Sequence, residues 1–84
     1  MSILIVYRDF NKKYADYCAS QLSAKGYAVS CIDIDMANSE YNLNIYSTPT
    51  FFILKNDIPA YPIQGIQNIS TILDWADNSN ILQE

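Results

Sequence analysis

The feature that most constrains this chain is a continuous apolar run close to its start. Residues 2–7 read SILIVY, with no alternation between apolar and polar side chains. Such a run, rich in β-branched residues, is typical of a strand that is covered on both faces, as in a parallel sheet. The sequence therefore predicts a central sheet with helices on both of its sides.

The segments after this run predict a strand-helix-strand crossover. Apolar residues recur at helical spacing between Lys12 and Lys25, Asn11 can cap that helix, and Gly26 can end it. Residues 27–35 read YAVSCIDID and predict the second strand. A short crossover of this kind makes the two strands parallel and the connection right-handed.

The second half predicts a short helix, a hairpin and a closing helix. The short helix runs from Asn38 or Ser39 to about Leu43, and strands over 50–55 and 60–65 flank a turn at 56–57. Apolar residues at helical spacing then predict a final helix, followed by a frayed tail over 77–84. The result is one α/β domain over 1–84, ordered βαβαββα, with a four-stranded mixed sheet flanked by helices.

Charge and composition exclude several classes of function. The 84 residues carry a net charge of −4, and no cluster of Lys and Arg exceeds two residues. Nucleic acid and anionic membranes both select a basic surface, so neither is an expected partner. The opening segment lacks the basic region of a signal peptide and the length of a membrane span, which predicts a cytoplasmic protein.

The residue inventory also argues against a metal, a cofactor and hydrolytic catalysis. The chain has no His, two Gly and only two Cys, Cys18 and Cys31. Zinc and haem therefore lack a ligand set, a phosphate-binding loop lacks its glycines, and a Ser-His or Cys-His arrangement is excluded. In the cytoplasm the two cysteines are expected to remain thiols in the core.

A longer motif then resembles a known family. Residues 45–65, IYSTPTFFILKNDIPAYPIQG, are similar to the thioredoxin-fold pattern of Ile-x-Ser-x-Pro-Thr, apolar strand, tight turn, strand and glycine. The resemblance spans residues 2–77 and implies that Thr48–Pro49 is a cis peptide bond beside the start of the first helix. There the backbone of Thr48 could pair with an extended peptide. The alternative is that Pro49 only shapes a bend entering the sheet.

This sequence lacks the pair of cysteines that makes members of the family redox-active. Redox-active members open the first helix with Cys-x-x-Cys, whereas gapless counting places Lys12, Lys13, Tyr14 and Ala15 there. This predicts a thioredoxin- or glutaredoxin-like protein without the dithiol site, which is non-catalytic and binds a protein or peptide partner. The candidate binding residues are Lys12, Lys13, Tyr14, Ser47, Thr48 and Pro49, with Tyr46 as a further candidate. Alternatively, the two lysines are simply solvated.

A rival interpretation keeps redox chemistry. Residues 15–18, ADYC, resemble the glutaredoxin sequence Cys-Pro-Tyr-Cys with its first cysteine replaced. The protein would then be a thiol-disulfide oxidoreductase acting through Cys18, in redox homeostasis or as an electron donor to ribonucleotide reductase. The segment QGIQN lacks the Gly-Gly and acidic residue that hold glutathione in glutaredoxins, so glutathione is not favoured. A third possibility is a structural remnant without a groove function.

Overall fold

One four-stranded sheet organises the computed structural model, which describes residues 2–83. The strands are β1 (Ser2–Tyr7), β2 (Ala28–Asp33), β3 (Thr50–Lys55) and β4 (Ile58–Gln64), and the helices are α1 (Lys12–Ala24), α2 (Ile34–Glu40) and α3 (Ile69–Gln83). A single 3₁₀ turn over Asp9–Asn11 precedes α1. The predicted order βαβαββα is confirmed.

The sheet has the order β2-β1-β3-β4. β1 is parallel to β2 and antiparallel to β3, and β3 is antiparallel to β4. The apolar run is thus a central strand, and its residues from Ile3 to Val6 are all buried, as predicted. β4 is an edge strand, as the proline at residue 62 predicts.

The two faces of the sheet carry separate cores. The core beneath α1 consists of Ile3, Ile5, Ala15, Cys18, Leu22, Phe51, Ile53, Ile72 and Ala76. The core beneath α2 consists of Leu4, Val6, Ile34, Ala37 and Phe52. Because neighbouring residues of a strand point to opposite faces, Phe51 and Phe52 of β3 enter different cores. The first core is the larger, because two helices cover that face and one short helix covers the other.

Two predicted starts were wrong. β4 begins at Ile58 rather than at residue 60, directly after the two turn residues. The second helix begins at Ile34 rather than at Asn38 or Ser39, because Asp33 ends β2 and its side chain accepts a hydrogen bond of 2.9 Å from the Asp35 backbone N–H. This is an N-terminal helix cap. α3 extends through Gln83 and Glu84 lies outside the described residues, while the fraying of the tail over 77–84 stays a prediction.

Two turns adopt the conformations that their residues predict. Gly26 has a φ of 97° immediately after α1, where a left-handed residue ends the helix. Asn56 and Asp57 have φ values of 52° and 64° and form the two-residue loop between β3 and β4. Positive φ at both loop residues matches the right-handed twist of a hairpin, and Asn and Asp tolerate it.

Candidate functional site

Three loops meet around Pro49. Residues 8–11 lead into α1, residues 41–49 lead into β3, and residues 65–68 join β4 to α3. The Thr48–Pro49 peptide bond is cis, Pro49 is buried, and its carbonyl oxygen accepts a hydrogen bond of 2.9 Å from the backbone N–H of Gly65. The side chains on these loops, together with the first turn of α1, are called the Pro49 site below.

Asn11 joins the start of α1 to the segment before Pro49. Its Nδ2 donates a hydrogen bond of 2.8 Å to Thr48 Oγ1, and its Oδ1 accepts one of 2.9 Å from the Arg8 backbone N–H. Only 4% of Asn11 is exposed. The side chain that meets Thr48 from the helix is therefore a carboxamide, which lies one residue before Lys12.

Sequence reasoning used Asn11 only as a helix cap. Asn11 does occupy the N-cap position of α1, but its side chain makes no capping hydrogen bond. It is buried instead, and a buried carboxamide requires partners for both of its polar atoms. The signal in the sequence was the pairing of a polar residue at the helix start with a hydroxyl residue beside the proline, since those two positions are adjacent in the resembled fold.

Two further hydrogen bonds fix the segment before β3. Arg8 Nη2 lies 3.5 Å from the carbonyl oxygen of Tyr46, which it approaches as a donor. Thr50 Oγ1 donates a hydrogen bond of 2.7 Å to the carbonyl oxygen of Ser47. The path of residues 46–50 is thus tied both to the loop before α1 and to the start of its own strand.

Tyr14 holds the third loop. Its hydroxyl donates to the carbonyl oxygen of Gln67 at 2.8 Å and accepts from the Gln67 backbone N–H at 2.9 Å. Its ring meets Phe51 edge-on, with 6.4 Å between ring centroids. Burial raises the pKa of Tyr14 to about 12, although the Gln67 hydrogen bond opposes the rise. The phenol therefore stays protonated at neutral pH and can serve as donor and acceptor at once.

The two predicted lysines have different surroundings. Both are exposed. Lys12 Nζ lies 3.2 Å from Asp16 Oδ2 and 5.8 Å from the centroid of the Tyr7 ring. The hydrogen bond and charge of Asp16 raise the pKa of Lys12. Lys13 has no ion pair within the part of the chain that the structure describes, so its charge is directed to solvent.

Apolar side chains are exposed on all three loops. Phe10 is 82% exposed, Tyr46 is 77% exposed and Ile66 is 70% exposed, which makes them the three most exposed large apolar side chains among the described residues. Each stands on a different loop of the Pro49 site. Sequence reasoning named Tyr46 but missed Phe10 and Ile66. Their positions beside the helix start and directly after Gly65 were the available signal.

The two cysteines are free and lie in different environments. Cys18 is fully buried in the core beneath α1, and this burial raises the pKa of its thiol. Cys31 is exposed, so the prediction of a core position was wrong, because β2 is an edge strand. Although exposed, the Cys31 thiol is partly covered, and this desolvation raises its pKa, with Asp16 adding to the rise and Lys12 opposing it.

The described residues offer few other candidate sites. Residues 2–83 contain no group of three His, Cys, Asp or Glu side chains placed to hold a metal ion. None of the helices described combines the length and apolarity needed to cross a membrane. A shallow hollow along α2, lined by Asp35, Met36, Ser39 and Glu40, lies on a different element from the Pro49 site.

The comparisons with known proteins give the fold. No family model matches the sequence, and no curated protein matches it either. The structure is similar to that of thioredoxin 1 from the thermophilic eubacterium Thermosipho africanus, with a TM-score of 0.63 and 14% sequence identity. The match covers 99% of this chain and 98% of that one. The chain therefore has the thioredoxin fold.

Proposed function

We propose that this protein is a thioredoxin- or glutaredoxin-like protein without the dithiol site, which binds an extended segment of a partner polypeptide at the Pro49 site. It works in the cytoplasm, without a metal or cofactor, and is not a catalyst. The observation that carries the proposal is that Phe10, Tyr46 and Ile66 are exposed on the three loops that contact one another at Pro49. Exposed apolar side chains gathered in one place mark interaction sites, whereas isolated ones are ordinary.

The backbone beside Pro49 supplies the polar part of the proposed interaction. Neither the N–H nor the C=O of Thr48 takes part in a backbone hydrogen bond within residues 2–83. An extended segment can pair with such groups as an added strand does, and its alternate side chains then reach flanking pockets. Phe10 directly precedes Asn11, which bonds to Thr48, and Ile66 directly follows Gly65, which bonds to Pro49, so apolar side chains of the segment can contact both.

Charge gives the proposed segment its acidic character. Three of the five Lys and Arg residues of the chain lie between Arg8 and Lys13, although the net charge of the chain is −4. Since Lys12 is already paired with Asp16, Arg8 and Lys13 are the cations that a ligand would meet. We therefore expect the bound segment to carry a carboxylate, from Asp, Glu or a chain terminus, next to its apolar side chains.

A selection from random displayed peptides tests the proposal. Peptides selected on the immobilised protein are titrated against the wild type and against Phe10→Ser and Ile66→Ser. Each substitution is expected to weaken binding about tenfold, which corresponds to about 1.4 kcal/mol. Ile58→Ser is the matched control, because Ile58 is 66% exposed but lies at the start of β4, at the hairpin turn.

Two results would count against the proposal. One is a set of selected peptides whose affinity is the same for the Phe10→Ser, Ile66→Ser and wild-type proteins. The other is a loss of affinity with Ile58→Ser alone, which would place binding at the hairpin. Lys13→Glu is an independent test. It should weaken the binding of peptides that carry a carboxylate and leave the affinity of uncharged peptides unchanged.

No observation favours the rival oxidoreductase. A thiol that attacks a disulfide must reach it as an accessible thiolate. Cys18 is fully buried and its pKa is raised, both of which oppose that role. Reactivity of the two thiols is therefore a direct test between the two proposals.

A further inference from the structure

Arg8 is held beside the segment that leads to Pro49. Its backbone N–H donates a hydrogen bond of 2.9 Å to Asn11 Oδ1, and Asn11 Nδ2 donates one of 2.8 Å to Thr48 Oγ1. A single buried carboxamide therefore connects Arg8 to Thr48. Because both polar atoms of Asn11 are engaged in this way, the position of Arg8 relative to Thr48 is fixed before any ligand binds.

The guanidinium of Arg8 reaches the same segment. Its Nη2 lies 3.5 Å from the carbonyl oxygen of Tyr46, and Tyr46 is two residues before Thr48. This distance exceeds that of an ordinary N–H···O hydrogen bond, about 2.7–3.2 Å, so the contact orients the side chain without using its donors fully. Arg8 is exposed and makes no ion pair with Asp9 or with any other carboxylate of residues 2–83. Most of its N–H donors are thus available to a ligand.

The two neighbouring lysines lack this arrangement. Lys12 is paired with Asp16, and Lys13 is exposed without an ion pair in the described part of the chain. A guanidinium is also a planar fork that matches both oxygens of a carboxylate, whereas an ammonium acts as a point charge. Arg8 is therefore the cation that can recognise where a carboxylate lies and how it is oriented.

We propose that Arg8 is the specificity-determining residue of the Pro49 site, and that it binds a Glu or Asp side chain two positions away from the ligand residue that pairs with Thr48. The inference rests on the proposed function, because it requires a segment bound at Thr48. It assigns a position in that segment to the carboxylate.

The spacing follows from the geometry of an extended chain. Such a chain advances about 3.3 Å per residue, so two positions cover about 6–7 Å. Tyr46, which Arg8 contacts, lies two residues from Thr48, so the ligand residue that reaches Arg8 lies two positions from the one that pairs with Thr48. Ligand residues one or three positions away point to the opposite face of the extended segment. One position should therefore be selected.

Two scans of one selected peptide test the position. The peptide has acetylated and amidated ends, so that a single Glu is its only carboxylate. N-methylation of each backbone amide in turn identifies the residue that pairs with Thr48, because the methyl group removes the donor. The Glu is then moved along the peptide, with Ala as the reference, and affinity is measured by fluorescence anisotropy. Glu two positions from the pairing residue, on one side, should bind about tenfold more tightly than Ala, and Glu elsewhere should gain less than about twofold.

Substitutions of Arg8 assign the preference to its guanidinium. Arg8→Gln should remove the advantage of the preferred Glu, and Arg8→Lys should lose most of it, because the charge stays but the fork is absent. Lys13→Gln is the matched control, which should weaken all Glu peptides alike and leave the preferred position unchanged. The bond to Asn11 comes from the backbone of Arg8, so these variants retain it, and thermal unfolding verifies that they fold.

The outcomes separate this inference from the proposed function. Selected peptides whose affinity is unaffected by Phe10→Ser and Ile66→Ser would overturn both. A peptide that depends on Phe10 but binds equally well wherever its Glu stands would overturn the role of Arg8 and leave the Pro49 site as the binding site. A preferred position that survives Arg8→Gln, or that Lys13→Gln abolishes, would also overturn the role of Arg8 alone.

Discussion

The core beneath α1 and the Pro49 site are adjacent in space but are held together differently. Phe51 lies at the centre of the core, edge-on to Tyr14 and Trp75, with ring centroids 6.4 Å and 6.1 Å apart. Two residues earlier in the chain, Pro49 lies among loops that are held mainly by hydrogen bonds between them. The fold depends on the first region, which leaves the second free to change its chemistry.

The largest expected effect is in the core. Phe51→Ala removes a fully buried ring and its two aromatic contacts, so we expect a loss of about 3–5 kcal/mol in the free energy of unfolding. Phe52→Ala is the paired control, because the same change on the thinner α2 face should cost less. Urea denaturation of both variants measures the difference. Equal losses, or a greater loss from Phe52→Ala, would contradict the ranking of the two faces.

The next effect is at the junction between the two regions. Asn11→Ala leaves the Thr48 hydroxyl without its donor and the Arg8 N–H without its acceptor, and we expect a loss of about 1–3 kcal/mol. A double-mutant cycle with Thr48→Ala isolates the contact between the two side chains. If the two substitutions add without coupling, Asn11 stabilises the fold only through Arg8 and does not join α1 to the Pro49 segment.

The contrast between these regions also explains what could be predicted from sequence. The core depends on periodicity, so the run over 2–7 and the spacing of apolar residues on α1 predicted the sheet and its covering helix. The Pro49 site depends on contacts between residues far apart in sequence. Asn11 meets Thr48 across 37 positions, and no local pattern encodes that pair.

Local sequence patterns also did not predict that β2 lies at an edge of the sheet. Cys31 stands among apolar neighbours and was predicted to be in the core, yet β2 has one neighbouring strand and leaves it exposed. The start of α2 was missed for a related reason. Asp33 and Asp35 were interpreted as a strand end, whereas the Asp33 side chain caps a helix that begins at once.

A smaller effect is expected at the far side of the Pro49 site. Tyr14→Phe removes both hydrogen bonds to Gln67 but keeps the ring against Phe51, so we expect a loss of about 0.5–1.5 kcal/mol. Peptide binding should weaken as well, since Gln67 directly follows the exposed Ile66. Unchanged stability and unchanged binding together would show that the Gln67 loop is held without Tyr14.

Tyr14 also gives the protein a dependence on alkaline pH. The pKa of the folded state is about 12 against an ordinary value of 10.0, so the unfolded chain loses this proton first as pH rises. The stabilisation is therefore complete below about pH 10 and is lost as pH rises towards about 12. Urea denaturation across this range should show a shallower decline for Tyr14→Phe than for the wild type.

Tyr27 is the control for that decline. Burial and its hydrogen bond to Asp77 raise its pKa to about 12 as well, but it packs against the core from outside the Pro49 site. Tyr27→Phe should flatten the alkaline decline in the same direction and leave peptide binding unchanged. A wild-type decline that neither substitution alters would assign the alkaline sensitivity to other groups.

The smallest effect is expected from alkylation of the native thiols, because it leaves the fold in place. Cys31 is exposed and should react with the reagent in the folded protein. Because the pKa of its thiol is raised, the reaction should be slow near neutral pH and should become faster as alkaline pH forms the thiolate. Cys18 should react only when the chain opens, so a low concentration of urea should speed its modification and not that of Cys31. Mass spectrometry after a pulse of iodoacetamide separates the two sites, and Cys31→Ser isolates the buried thiol. Rapid labelling of Cys18 at weakly acidic pH would mean that a thiolate is open to solvent within the core, which would restore the oxidoreductase and remove the distinction between the two regions.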